Sequence, residues 1–175
     1  MLIYFASKSG LDIEGLGRET VETLIANKLV ENFEDFYSLT YEELISLPQW
    51  KEKKTQNLLE AIEKSKNSEQ EKLLPALGIR YVGKQTSKLL VNTFGSIRNI
   101  FDASTDEINK IHGISESVSS SLIEWYSENT NKLLITNLEE IGFGISKKIQ
   151  KTTGKFSGKT FVMTGTLSNY TLSLI

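Results

Sequence analysis

Apolar residues in this chain fall in short clusters at helical spacing, and the clusters themselves repeat. Four five-residue segments align without gaps: Ile13-Glu14-Gly15-Leu16-Gly17, Leu47-Pro48-Gln49-Trp50-Lys51, Ile79-Arg80-Tyr81-Val82-Gly83 and Ile111-His112-Gly113-Ile114-Ser115. Their first residues stand 34, 32 and 32 positions apart. The register persists downstream. Four residues after each segment come Val21, Thr55, Ser87 and Ser119, all small or β-branched. Three further on stand Leu24, Leu58, Leu90 and Leu122, followed by Ile25, Leu59, Val91 and Ile123.

Each copy predicts a helical hairpin. A first helix ends at the leading apolar residue, the central one (Leu16, Trp50, Val82, Ile114) tucks the turn onto the core, and a second helix then begins. That second helix buries the leucine and its neighbour, while the small residue lets the two helices approach closely. Apolar spacing within Val21–Val30, Thr55–Ile62, Thr86–Asn92 and Val118–Tyr126 supports it. A longer period is superimposed. Thr40-x-x-Glu43 and Ser104-x-x-Glu107 are both capping-box patterns, 64 residues apart and followed by Leu44 and Ile108. The chain therefore reads as all-α, with four hairpins in two duplicated units.

A hairpin turn that opens a helix has a chemical consequence. The first N–H groups of a helix lack internal partners and its dipole makes that end partly positive, so a glycine-bearing turn there can admit a phosphate. Cations and hydroxyls cluster at the same places: Arg18 after Gly15 and Gly17, Lys51, Lys53 and Lys54 at the second turn, Arg80 and Lys84 beside Gly83, and Ser115 and Ser117 beside Gly113. A lone Gly-x-Gly is an ordinary helix–helix turn. Four turns in register with adjacent cations point further, to backbone binding of a nucleic acid without base reading. Only the first turn keeps both glycines. The first and third rank highest for backbone contact, and the second would contact through lysine. Trp50 occupies a buried column, which makes it a core residue rather than a base-stacking one. His112 reads as a solvent-facing turn residue, and Lys53 and Lys54 have a plain reading as surface charges.

Composition constrains the partners. Hydrophobic residues make up 39% and charged residues 24% of 175, as in ordinary globular proteins. With no cysteine, disulfides and Cys-ligated zinc are excluded from this chain. No signal peptide or spanning run follows Met1, which predicts a cytoplasmic protein with no membrane partner. The net charge of −2 requires that any DNA contact come from localised cations and amides rather than a global positive field. Acids dominate from Glu31 to Glu71, whereas Ser146 to Lys159 carries Lys147, Lys148, Lys151, Lys155 and Lys159 and no acid. That run reads as a basic linker.

Phe5-Ala6-Ser7 with Gly10 and Asp12 to Gly17, Glu52-Lys53 with Gln56 to Leu59, and Ala76 to Gly83 resemble the helix-hairpin-helix domain of bacterial NAD-dependent DNA ligases. Gly158 to Leu167 resembles the first strand of the BRCT domain that follows it in that family. The resemblance implies tandem helix-hairpin-helix repeats ending in a short β fragment of a truncated BRCT domain. It divides the chain into a linker remnant (1–10), a DNA-binding domain (11–145), a basic linker (146–157) and the BRCT start (158–175). It further implies a parent enzyme that seals nicks in double-stranded DNA during replication and repair, in the cytoplasm at the nucleoid. That parent would use NAD, Mg2+ and a Zn2+ finger. The family's Lys-x-Asp-Gly motif is absent here, so no residue of this chain is expected to be catalytic or to bind cofactor or metal. The expected partners are nicked duplex DNA and the remaining ligase domains. The alternative is a DNA-binding or protein-interaction hairpin module of another repair protein.

Overall fold

A computed structural model describes residues 1–147, and these residues contain helices and no strand. The expected β fragment and most of the lysine run lie outside the described residues. In chain order the helices are α1 (Leu2–Ala6), α2 (Arg18–Ala26), a 3-10 helix (Glu34–Ser38), α3 (Tyr41–Ile45), α4 (Glu52–Ser65), α5 (Gln70–Ala76), α6 (Lys84–Phe94), α7 (Ile97–Asp102), α8 (Thr105–Asn109), α9 (Glu116–Ser127) and α10 (Asn129–Ile141). The four hairpins are α1/α2, α3/α4, α5/α6 and α8/α9, and each packs its two helices together. Residues 1–10, expected as a linker remnant, instead supply the first helix of the first hairpin, with Phe5 and Ala6 fully buried.

The repeated columns explain the packing. Val21, Thr55, Ser87 and Ser119 are all wholly buried, as helix contact at a small residue requires. Ser87 Oγ donates to the Glu71 carbonyl at 2.9 Å, and Ser119 Oγ donates to Asn109 Oδ1 at 2.6 Å, each reaching the first helix of its own hairpin. Thr55 Oγ1 is buried with no partner. Leu24, Leu58, Leu90 and Leu122 are likewise buried in one common core. Their neighbours diverge. Val91 is buried and Leu59 half-buried, but Ile25 and Ile123 are exposed. The expectation that the neighbour is always buried is corrected accordingly.

Two other boundaries differ from the pattern. First helices stop short of the leading apolar residue. In the first hairpin six residues separate the end of α1 from Ile13, since Leu11 N–H returns to the Phe5 carbonyl at 2.8 Å and Asp12 takes a φ of 55°. The second helix of that hairpin ends at Ala26 rather than Val30, where Lys28 turns left-handed at a φ of 59°. The two capping boxes form as expected: Thr40 and Ser104 accept from the N–H groups of Glu43 and Glu107, whose carboxylates accept in return.

Ties at long sequence range join the first unit to the segment after the second, and others brace the second itself. Asn137 of α10 donates to Glu34 Oε1 at 2.9 Å, and the Tyr37 and Phe143 rings meet edge-on at 5.3 Å. Gln70 at the start of α5 is buried; its Oε1 accepts from the Ile97 N–H and its Nε2 donates to the Lys147 carbonyl, both at 2.6 Å. Arg98 bonds Tyr126 Oη at 2.9 Å and Glu139 at 2.7 Å. A hydrogen bond to Ser146 and that guanidinium hold the Glu139 carboxyl below its ordinary range.

Candidate nucleic-acid interface

The four turns share one backbone. In each, the N–H of the fourth residue returns to the carbonyl of the first, at 3.1, 3.2, 3.1 and 3.1 Å. The fifth residue (Gly17, Lys51, Gly83, Ser115) is in every case the extended N-cap of the second helix. The third residue is left-handed in every case: Gly15 at 87°, Gln49 at 66°, Tyr81 at 64° and Gly113 at 89°. Sequence reading treated the glycines alike. The structure separates them into two jobs.

Gly15 and Gly113 serve conformation, since a positive φ disfavours any residue with a Cβ. A Cβ on Gly15 would lie a tight 3.3 Å from Leu58 of the second hairpin, and one on Gly113 would make an ordinary 3.5 Å contact with the exposed Leu89 of the third. Gly17 and Gly83 are different. Their φ values, −69° and −93°, are open to any residue, and an added Cβ would meet nothing within 4 Å. Glycine is tolerated at an N-cap but offers no side-chain cap of its own. Nothing among the described residues requires glycine at either place.

The helix starts divide into two kinds. Those of α3, α7 and α8 are sealed by the side chains of Thr40, Ser96 and Ser104. The starts of α2, α4, α6 and α9, the four that follow the repeated turns, carry no side-chain cap, and neither do those of α1, α5 and α10. Their orphan amides are therefore available to an anion. Gly15, Gly17, Arg18, Lys51, Lys53, Arg80, Gly83, Lys84, Gly113, Ser115 and Ser117 are all exposed at these starts. Trp50 is a core residue at 7% exposure, with the Lys54 ammonium 4.2 Å above its ring.

Electrostatics rank the four. The first turn of α2 holds Glu19, that of α4 Glu52 and that of α9 Glu116, whereas α6 has no acid in its first turn and begins with Lys84. Arg18 is drawn to Glu22 at 3.6 Å, though both side chains stay largely exposed, so that pair is weak. At the fourth start, Ser117 shares an open groove with Arg80 and Tyr81 of the third turn, but Glu116, Glu124 and Glu128 line it too. That ring of carboxylates was not visible from the hydroxyls alone, and it disfavours a phosphate there. The third start combines an open glycine, two cations and no acid.

Residues 11–64 match the family model described as a SAM-like helix-hairpin-helix tandem, and residues 72–135 match the helix-hairpin-helix motif model, one model for each pair of hairpins. The two matches place helix-hairpin-helix motifs in both halves of the described chain. Over almost its whole length the chain is similar to the helix-hairpin-helix part of bacterial DNA ligases. It is 40% identical over 172 residues to the DNA ligase of Geobacter metallireducens, which spans 98% of this chain and 26% of that relative. It is 38% identical over 169 residues to the DNA ligase of Geobacter sulfurreducens (97% and 25%) and 38% identical over 176 residues to that of Anoxybacillus flavithermus (98% and 26%). The chain spans about a quarter of the length of these curated relatives.

Proposed function

We propose that the chain grips the sugar–phosphate backbone of double-stranded DNA without reading sequence, as the helix-hairpin-helix part of an NAD-dependent DNA ligase that seals nicks in replication and repair. One observation carries this reading: Gly83 leaves space that no described residue fills, at an uncapped helix start that is flanked by Arg80 and Lys84 and has no acid in its first turn. Amide N–H groups and the helix dipole hold a phosphate there, with the two cations closing on it. The first start, with Gly17 and Arg18, repeats the arrangement beside Glu19. The second, with Lys51 and Lys53, contacts by side chain only, and the fourth contributes least.

In this reading the chain performs no bond chemistry. NAD, Mg2+ and Zn2+ would be held by other parts of the ligase, which act on DNA that this part encloses in the bacterial cytoplasm. Anisotropy titration of the chain with nicked and intact duplexes across a salt series tests the reading. With roughly three to five phosphates neutralised, affinity should fall by about 3 to 4.5 decades per decade of salt, from a dissociation constant of about 10⁻⁴ to 10⁻⁶ M. Equal affinity for unrelated duplex sequences is expected. A salt slope of zero would remove the DNA reading and leave a protein-interaction module.

A further inference from the structure

The third residue of each turn is left-handed, yet only the first and fourth turns place glycine there. Gln49 and Tyr81 hold φ values of 66° and 64° at a cost in stability relative to glycine. Tyr81 is 53% exposed, the most exposed aromatic among the described residues. Its ring lies 4.8 Å from the Arg80 guanidinium and two residues before the open N-cap Gly83. A large apolar ring in a disfavoured conformation, held outward beside the best phosphate seat, contributes little to the core of the protein.

We propose that Tyr81 packs its ring against the deoxyribose adjoining the phosphate seated at the start of α6, so fixing the register of the strand on the third hairpin. The proposal rests on the DNA reading given above. Arg80, stacked on the ring, is thereby aimed at the neighbouring phosphate, and the stacking limits the freedom of both side chains before DNA arrives. The groove beyond Tyr81 is walled by Glu116, Glu124 and Glu128, which exclude a phosphate from it. An uncharged sugar is the part of the backbone that an exposed ring can meet at such a boundary. Gln49, at the same backbone position of the second turn, has neither an aromatic face nor a glycine N-cap beside it, and serves as the internal control.

The test is duplex binding by the 175-residue chain carrying Tyr81→Gly, Tyr81→Phe, Tyr81→Leu or Gln49→Gly, with the melting temperature of each. Tyr81→Gly should bind about tenfold more weakly, in the range typical of lost ring contacts with nucleic acid, while melting no lower than the parent. Phe should keep affinity within about twofold, and Leu should lose about fivefold. Gln49→Gly should leave affinity unchanged. Because no charge is altered, the salt slope of every Tyr81 variant should equal that of the parent. Parental affinity in both the Gly and Leu variants overturns the inference and leaves the DNA reading standing. A shallower salt slope in Tyr81→Leu also overturns it, because the ring would then act only by holding Arg80. A parent chain that binds no duplex removes both.

Discussion

The second and third hairpins are nearly the same object in backbone and very different in chemistry. Their left-handed residues differ by two degrees in φ and their turn hydrogen bonds by 0.1 Å. The second, however, puts Lys51 where the third has Gly83, Glu52 where the third has Lys84, and Trp50, capped by Lys54, where the third has Val82. The turn is therefore specified by its apolar first and fourth positions and by the extended N-cap. Anion capacity is specified separately, by the fifth position and the first helical turn. A duplicated fold can lose a binding seat in one copy without losing the copy.

The comparison can be broken in order of expected effect. Leu90→Ala in the third hairpin and Leu58→Ala in the second remove the same buried column, and each should cost about 2–5 kcal/mol of stability in denaturant melts. Equal costs would show that the two copies are one structure, while a large inequality would break the equivalence. Gly83→Val should lower affinity for every duplex sequence by about tenfold, or roughly 1.4 kcal/mol, with circular dichroism unchanged. Lys51→Val should cost no more than one phosphate contact and shift the salt slope by about 0.9. If Gly83→Val bound as the parent does, the open space at that residue would have no role in DNA contact. Thr55→Val replaces a buried hydroxyl that has no partner with the residue type found at Val21, and should raise stability by about 1 kcal/mol.

The smallest effect concerns pH. The Glu43 carboxyl is held below its ordinary range by the backbone N–H and hydroxyl of Thr40, and the Glu107 carboxyl by the same groups of Ser104. The unfolded chain therefore takes up protons first as pH falls. Stability from these boxes is complete above the ordinary carboxylate value of 4.5 and is lost below it. Glu43→Gln and Glu107→Gln should each flatten the acid side of the melting-temperature profile slightly and to the same degree. Unequal flattening would show that the two units differ even in their capped helices.

Much of this was legible in the chain. The leucine and small-residue columns, both capping boxes and the burial of Trp50 follow from spacing and side-chain type, because a helix puts those positions on a fixed face. Three things were not legible. The extent of α1 and α2 depends on left-handed residues, Asp12 and Lys28, whose conformation a side chain does not announce. The exposure of Ile25 and Ile123 depends on how neighbouring helices are arranged around them, a tertiary fact. The acidic groove joins residues more than thirty positions apart, so the sequence showed the hydroxyls of Ser115 and Ser117 without the carboxylates that line it. Likewise, Gly15 and Gly17 looked interchangeable until the φ and the surroundings of each were known.

Repeated hairpins make mostly local contacts, and an array of that kind can melt piece by piece. Here the Asn137–Glu34 bond spans 103 positions and the Tyr37–Phe143 ring pair closes beside it. These contacts act as a buckle: neither duplicated half can come apart without releasing the last helix, so one sharp transition is expected where a solenoid would show several. The same buckle sets the tempo of folding, because the chain must reach its final helix before the first half is locked.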